Sequence, residues 1–156
     1  MKNLCLWVVW GIAFAVLYTM ADVHSKETRS YNMSRIKGKD TKPEMLVRKF
    51  LFSKGFRYRL HDKKLPGKPD IILPKYKTVI FVHGCFWHGH EGCKYYVVPK
   101  TRTDWWLAKI NGNKANDHKK QKALEEAGWK VIHVWQCELR SNIKNDTLNE
   151  LTNKIL

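Results

Sequence analysis

Acidic residues are scarce in this chain. Fourteen Asp and Glu face 29 Lys and Arg across 156 residues, a formal net charge of +15. A compact molecule with that surplus repels itself unless a polyanion shares the load, so nucleic acid is the expected partner class. Cysteine is also sparse: Cys5, Cys85, Cys93 and Cys137. Cys5 lies in an apolar leader, which leaves the body an odd three and argues against a disulfide framework. Internal repeats and low-complexity tracts are missing, so solenoid and linker architectures are set aside. The chain is long enough for one domain with a real core and too short for two comfortable ones.

Charge is missing from residues 4–20 as well, and Lys2 is the only charged residue among the first twenty. Seventeen uncharged residues sit at the lower edge of a membrane span, and a basic start before an apolar run imitates a signal peptide. Thr19, Met20 and Ala21 make a poor cleavage site. The favoured reading is a translated upstream stretch with Met20 as the working start. A signal or anchor and a core helix are the alternatives. Residues 21–156 are then expected to form a single cytoplasmic domain with no stable membrane partner.

What is present clusters around a histidine-rich loop. His83, Cys85, His88, His90 and Cys93 fall within eleven residues, with Gly89 and Gly92 among them. Zinc takes four nitrogen or sulfur ligands in a tetrahedron, and a full set leaves no position open, which makes such a site structural. Cys85, Cys93 and Cys137 with one histidine supply that set. Spacing alone does not choose between His88 and His90. Thiolate ligation suits a reducing compartment.

Along the body, Thr41 and Glu44 have capping-box spacing, and Leu46, Val47, Phe50 and Leu51 recur at helical intervals up to Gly55. Residues 56–61 alternate apolar and basic side chains, which predicts a half-buried strand. Residues 65–69 form a turn cluster, Asp70 opens a short strand that Pro74 stops, and residues 78–82 are a β-branched run suited to a buried strand. Residues 102–127 are helical in composition, with Gly112 as an expected break. Residues 129–135 predict another strand. Asp146 or Thr147 caps a last helix that buries Leu148, Leu151 and Ile155. The expected fold is α/β, a mixed central sheet flanked by helices.

Phosphodiester hydrolysis needs a hard cation, commonly Mg²⁺, which takes oxygen ligands and often only one or two carboxylates. Asp70 at a strand start and the Val82–His83 strand end can meet across a hairpin. Asp70 is the candidate metal carboxylate and the Val82 carbonyl a second oxygen ligand. His83 or His88 can activate water or protonate the leaving oxygen, since imidazole titrates near neutrality. Glu44 can orient a water. Phe86, Trp87, Trp105 and Trp106 interleave with basic residues, as groups that stack on or wedge between bases do. A general restriction-like nuclease and a non-catalytic zinc-containing DNA-binding domain are the competing readings.

Asn32 and Met33, LPGKPD at 65–70, VIFVHGCFWHGH at 79–90, PKTRTDWWLAKI at 99–110 and GWKVIHVWQCELR at 128–140 together resemble the very-short-patch repair endonucleases. The resemblance runs from Met20 to the end of the chain. It implies a restriction-endonuclease-like fold and Mg²⁺-dependent nicking of one strand at thymine–guanine mismatches left by deamination of 5-methylcytosine. It also implies a monomer acting on duplex DNA, with other mismatch repair proteins as further partners. By position it makes Asp70 the metal carboxylate and Val82 a carbonyl ligand. His83 and His88 become catalytic histidines, with Glu44 completing the site. It assigns Cys85, His90, Cys93 and Cys137 to structural zinc, and Phe86, Trp87 and Trp106 to a wedge beside the mismatch. The basic segment after Met20 becomes an arm or helix closing over the DNA. The His90–Cys93 spacing is one residue longer than in some relatives.

Overall fold

The computed structural model describes residues 25–140 and 142–156. The expected apolar leader, residues 1–20, lies outside them. Among the described residues no helix is long and apolar enough to cross a membrane.

Among the described residues four α-helices and three strands run in the order α1 (Lys26–Ser34), α2 (Lys42–Ser53), β1 (Ile71–Leu73), β2 (Thr78–His83), α3 (Thr103–Glu126), β3 (Lys130–Trp135) and α4 (Lys144–Ile155). Strands β1 and β2 pair antiparallel, with Ile71 opposite Ile80, and β2 and β3 pair parallel, with Val82 opposite Val134. The sheet is therefore mixed, as expected. A hairpin serves the antiparallel pair, whereas the parallel pair needs a long crossover, which α3 provides.

Side chains alternate across the sheet. Ile71, Leu73, Ile80, Ile132 and Val134 face the buried sides of α2 and α4, where Val47, Leu51, Leu148 and Leu151 complete the larger core. Ile72 and Val79 face the other way and pack with Leu124 of α3, flanked by Phe81 and Val131. The same alternation carries His83 and His133 to the α3 face, where their rings meet at 4.7 Å. Helix α1 follows a Ser25 cap and buries no residue.

Three expectations need correction. Residues 56–61 make one bridge, Arg59 to Ile72, rather than a strand. Phe56 and Tyr58 belong to the core side, and His61 at φ +46° turns the chain away before pairing can extend. Helix α3 runs through Gly112 without a break; a Cβ there would meet nothing within 4 Å, so no close approach demands the glycine. Helix α4 starts earlier than expected, with Ile143 at its cap and no side-chain cap. Asp146 sits in the first turn, and Thr147 instead donates to the Glu138 carbonyl at 3.0 Å.

Candidate active site and thiol–imidazole cluster

Asp70 lies just before β1. Continuing the β1–β2 register places Pro69 opposite Val82. Proline has no N–H, so it cannot complete the ladder there. The Val82 N–H donates to Asp70 Oδ2 at 2.8 Å instead. A strand residue sends its N–H and C=O to the same side, so the Val82 carbonyl faces the Asp70 side without a proline N–H to satisfy it. Burial pushes the Asp70 carboxyl above its ordinary range, and the nearby Glu44 charge adds to this against the pull of the Val82 N–H. A carboxylate so placed gains from a cation.

Asp70 opens onto a cleft of about 870 Å³, also lined by Glu44, His61, His83, His88 and Asp117. Glu44 is buried, and its capping box with Thr41 is complete. Its Oε1 accepts from Thr41 Oγ1 at 2.8 Å, and its Oε2 pairs with Arg48 at 2.8 Å and accepts the Asp40 N–H at 2.9 Å. Both oxygens are engaged, so Glu44 holds the start of α2 against the cleft. Arg48 also binds Asp40 at 2.6 Å.

His83 and His88 stack at 3.8 Å with 4° between their planes. Burial, with the neighbouring His88, His133 and Lys120, pulls His83 down to about 3, so it stays neutral. His88 differs: its Nδ1 donates to Asp117 Oδ2 at 2.6 Å. That bond fixes the ring and leaves Nε2 as its other nitrogen. The loop carrying His88 lies tight on α3. A Cβ on Gly89, at φ +59°, would come within 2.9 Å of Ile110 and Lys114, and Asn113 donates to the Trp87 carbonyl at 2.9 Å.

Cys85, His90, Cys93 and Cys137 form a second group, with one candidate ligand atom from each within 4.8 Å of the others. Cys137 Sγ lies 3.4 Å from His90 Nδ1, and the His90 ring stacks on Trp135 at 4.0 Å. Burial and the two neighbouring thiols push Cys137 up to about 12. Three thiols so crowded cannot ionise together unless a cation takes up their charge. The donor set, three sulfurs and an imidazole, can hold a metal ion and suits zinc. Geometry separates the two loop histidines: His88 faces Asp117 and His90 faces the thiols.

The family model described as DNA mismatch endonuclease Vsr matches residues 21–94. The type II nicking enzyme V.NmeAIP of Neisseria meningitidis is 53% identical over 137 residues, which covers 87% of this chain and 97% of that protein. The type II nicking enzyme V.XorIIP of Xanthomonas oryzae pv. oryzae is 52% identical over 120 residues, covering 77% and 88%. The DNA mismatch endonuclease Vsr of Escherichia coli is 46% identical over 125 residues, 80% of each chain. The chain belongs to the Vsr family.

In this Vsr-family chain the three aromatic candidates form one half-buried group. Phe86 meets Trp87 at 5.1 Å and Trp106 at 5.3 Å, and exposed Trp105 packs edge-on against Trp106 at 4.7 Å. Asp70, Val82, His83, His88 and Glu44 share the cleft. Sequence reasoning missed Asp117, His61 and Lys120, which share it too. The one available signal was the i, i+3, i+7 relation of Ile110, Asn113 and Asp117. It marks a helix face but not what that face meets.

Proposed function

We propose that this chain, a DNA endonuclease by family, nicks one strand of duplex DNA at a thymine–guanine mismatch left by deamination of 5-methylcytosine. One observation carries the reading. Asp70 is locked by the Val82 N–H at the mouth of the hairpin, in the same cleft as the stacked His83–His88 pair. The α/β architecture with this hairpin supports a restriction-endonuclease-like fold.

Asp70 and the Val82 carbonyl would hold Mg²⁺, which clamps non-bridging phosphate oxygens and lowers the pKa of water. Hydrolysis forms a bond from the water oxygen to phosphorus and breaks the bond from phosphorus to the leaving oxygen. One proton leaves the water and one reaches the leaving group. His88, oriented by Asp117, handles a proton at Nε2. Neutral His83 stacks beneath it and sets its plane. Glu44 completes the acidic wall beside Asp70.

Phe86, Trp87 and Trp106 would wedge beside the mismatch, where flat apolar groups replace lost base stacking. The exposed basic segment from α1 to Lys39 would close over the DNA. Cys85, His90, Cys93 and Cys137 would hold a structural zinc, a thiolate set suited to the reducing cytoplasm. The protein is proposed to act as a monomer, with other mismatch repair proteins as further partners.

The test compares T·G-mismatched with matched duplexes, with and without Mg²⁺, using the natural chain and Asp70→Asn. Nicking of one strand of the mismatched duplex is expected, dependent on Mg²⁺ and reduced at least about 10³-fold in the variant while binding persists. Equal cutting of both duplexes would reject mismatch selectivity. Undiminished cutting by Asp70→Asn would reject the site.

A further inference from the structure

Helix α3 is mostly polar, and its only buried residues are Ile110, two turns in from its start, and Leu124, near its C-terminal end. Between these anchors, on the same face, lie Asn113, Asp117, Lys120 and Gln121. Three of them have partners: Asn113 holds the Trp87 carbonyl, Asp117 holds His88, and Gln121 accepts from His133 Nε2 at 3.2 Å. Lys120 is the exception. It is half-buried and lines the cleft, yet its ammonium pairs with no carboxylate among the described residues.

Its position is nevertheless built. Gly67, at φ +76°, lies three residues before Asp70. A Cβ there would come within 3.0 Å of Lys120 Cδ, 3.2 Å of Lys120 Cβ and 3.3 Å of Phe81 Cζ. The stem of Lys120 therefore lies against the turn that leads into Asp70, at Gly67, where Phe81 also approaches. Lys120 also acts electrostatically on His83. Its stem rests on Gly67 and its ammonium forms no ion pair among the described residues, so it remains available to a phosphate oxygen entering the Asp70 cleft.

We propose that Lys120 is a further catalytic residue, its ammonium touching a non-bridging oxygen of the scissile phosphate in the Asp70 cleft. This rests on the phosphodiesterase reading above. Charge on those oxygens is what a preorganised cation stabilises in phosphoryl transfer. Lys120 neither gains nor loses a proton in the step.

The experiment uses the full chain, Mg²⁺ and a T·G-mismatched oligonucleotide duplex, with Lys120→Met and Lys120→Arg. Methionine keeps an unbranched apolar side chain of similar length on Gly67. The expected result is a fall of about 10²-fold in the single-turnover nicking rate at saturating enzyme for Lys120→Met. Affinity should change by less than about tenfold, the melting temperature should stay, and Lys120→Arg should recover most of the rate. A Lys120→Met variant with the natural saturating rate overturns the proposal, whatever its affinity, because a distant phosphate grip alters binding alone. So does an equal loss in both variants with a lowered melting temperature, which assigns Lys120 to packing.

If the natural chain fails to nick this duplex, the proposed function fails separately. The salt dependence of binding then decides the contact: Lys120→Met should lower the slope by about one, and an unchanged slope rejects it.

Discussion

His83 and His133 sit side by side on the α3 face of the sheet, 4.7 Å apart, and both are held below the ordinary imidazole value of 6.5, chiefly by burial. His133 Nδ1 is buried and finds no partner among the described residues. Unfolding exposes both rings, and below pH 6.5 the unfolded chain binds protons that the folded chain refuses. Their contribution to stability is therefore complete above that pH. It declines as the pH falls through the window between 6.5 and the lowered folded values, about 3 for His83. The urea midpoint is expected to drop between pH 7.5 and pH 5.5, and to drop less in His133→Gln. Parallel curves for the two proteins would refute this assignment. The same residue scale explains how His88 and His90, two positions apart, diverge: one ring is claimed by a carboxylate on α3 and the other by a thiol cluster.

Helix α2 shows how an element is held at the site. Thr41 caps it, Glu44 returns the capping box, and Arg48, one turn on, is buried between Glu44 and Asp40. Breaking a buried pair by removing one partner leaves an uncompensated charge, at a cost of roughly 3–5 kcal/mol. Arg48→Met is expected to destabilise the fold by that order, measured by urea unfolding, whereas Thr41→Ala should cost about 1 kcal/mol. An Arg48→Met protein as stable as the natural one would show that the Glu44 charge is solvated rather than buried. Element α3 behaves differently. Its polar stripe reads in sequence as an ordinary solvated face, and only packing against the loop and β3 turns Asp117 and Lys120 into cleft residues and gives Gln121 to His133. The strand expected over residues 56–61 failed for a related reason. Alternation prepares a segment for pairing, but a ladder also requires continued extension, and His61 leaves it.

At the scale of the molecule, the thiol–imidazole group joins distant parts of the chain. Cys85 and Cys93 bound the loop that follows β2, and Cys137 sits in the short 3₁₀ turn after β3. That loop also carries Phe86, Trp87 and His88. Metal binding there would couple the fold to the cleft, because ligands brought together only on folding return their binding energy as stability. Purified protein is expected to hold one zinc. Chelation, or Cys137→Ser, should lower the melting temperature and the nicking rate together. A zinc-free protein with unchanged melting and activity would remove zinc from the account.

The sequence by itself determined whatever depends on neighbours along the chain: the capped start of α2, the β1–β2 hairpin, the proline that leaves Val82 for Asp70, and the basic surplus. These rest on local sterics, alternation and charge, which operate within a few residues. Tertiary structure alone decided the rest. It brought Asp117 to His88 across 29 positions, laid Lys120 over Gly67, and set His90 among the thiols, a choice that spacing left open and the family resemblance had made. Such partners are selected by which faces of remote elements meet, and a polar stripe on a helix carries no mark of whether water or a cleft lies opposite.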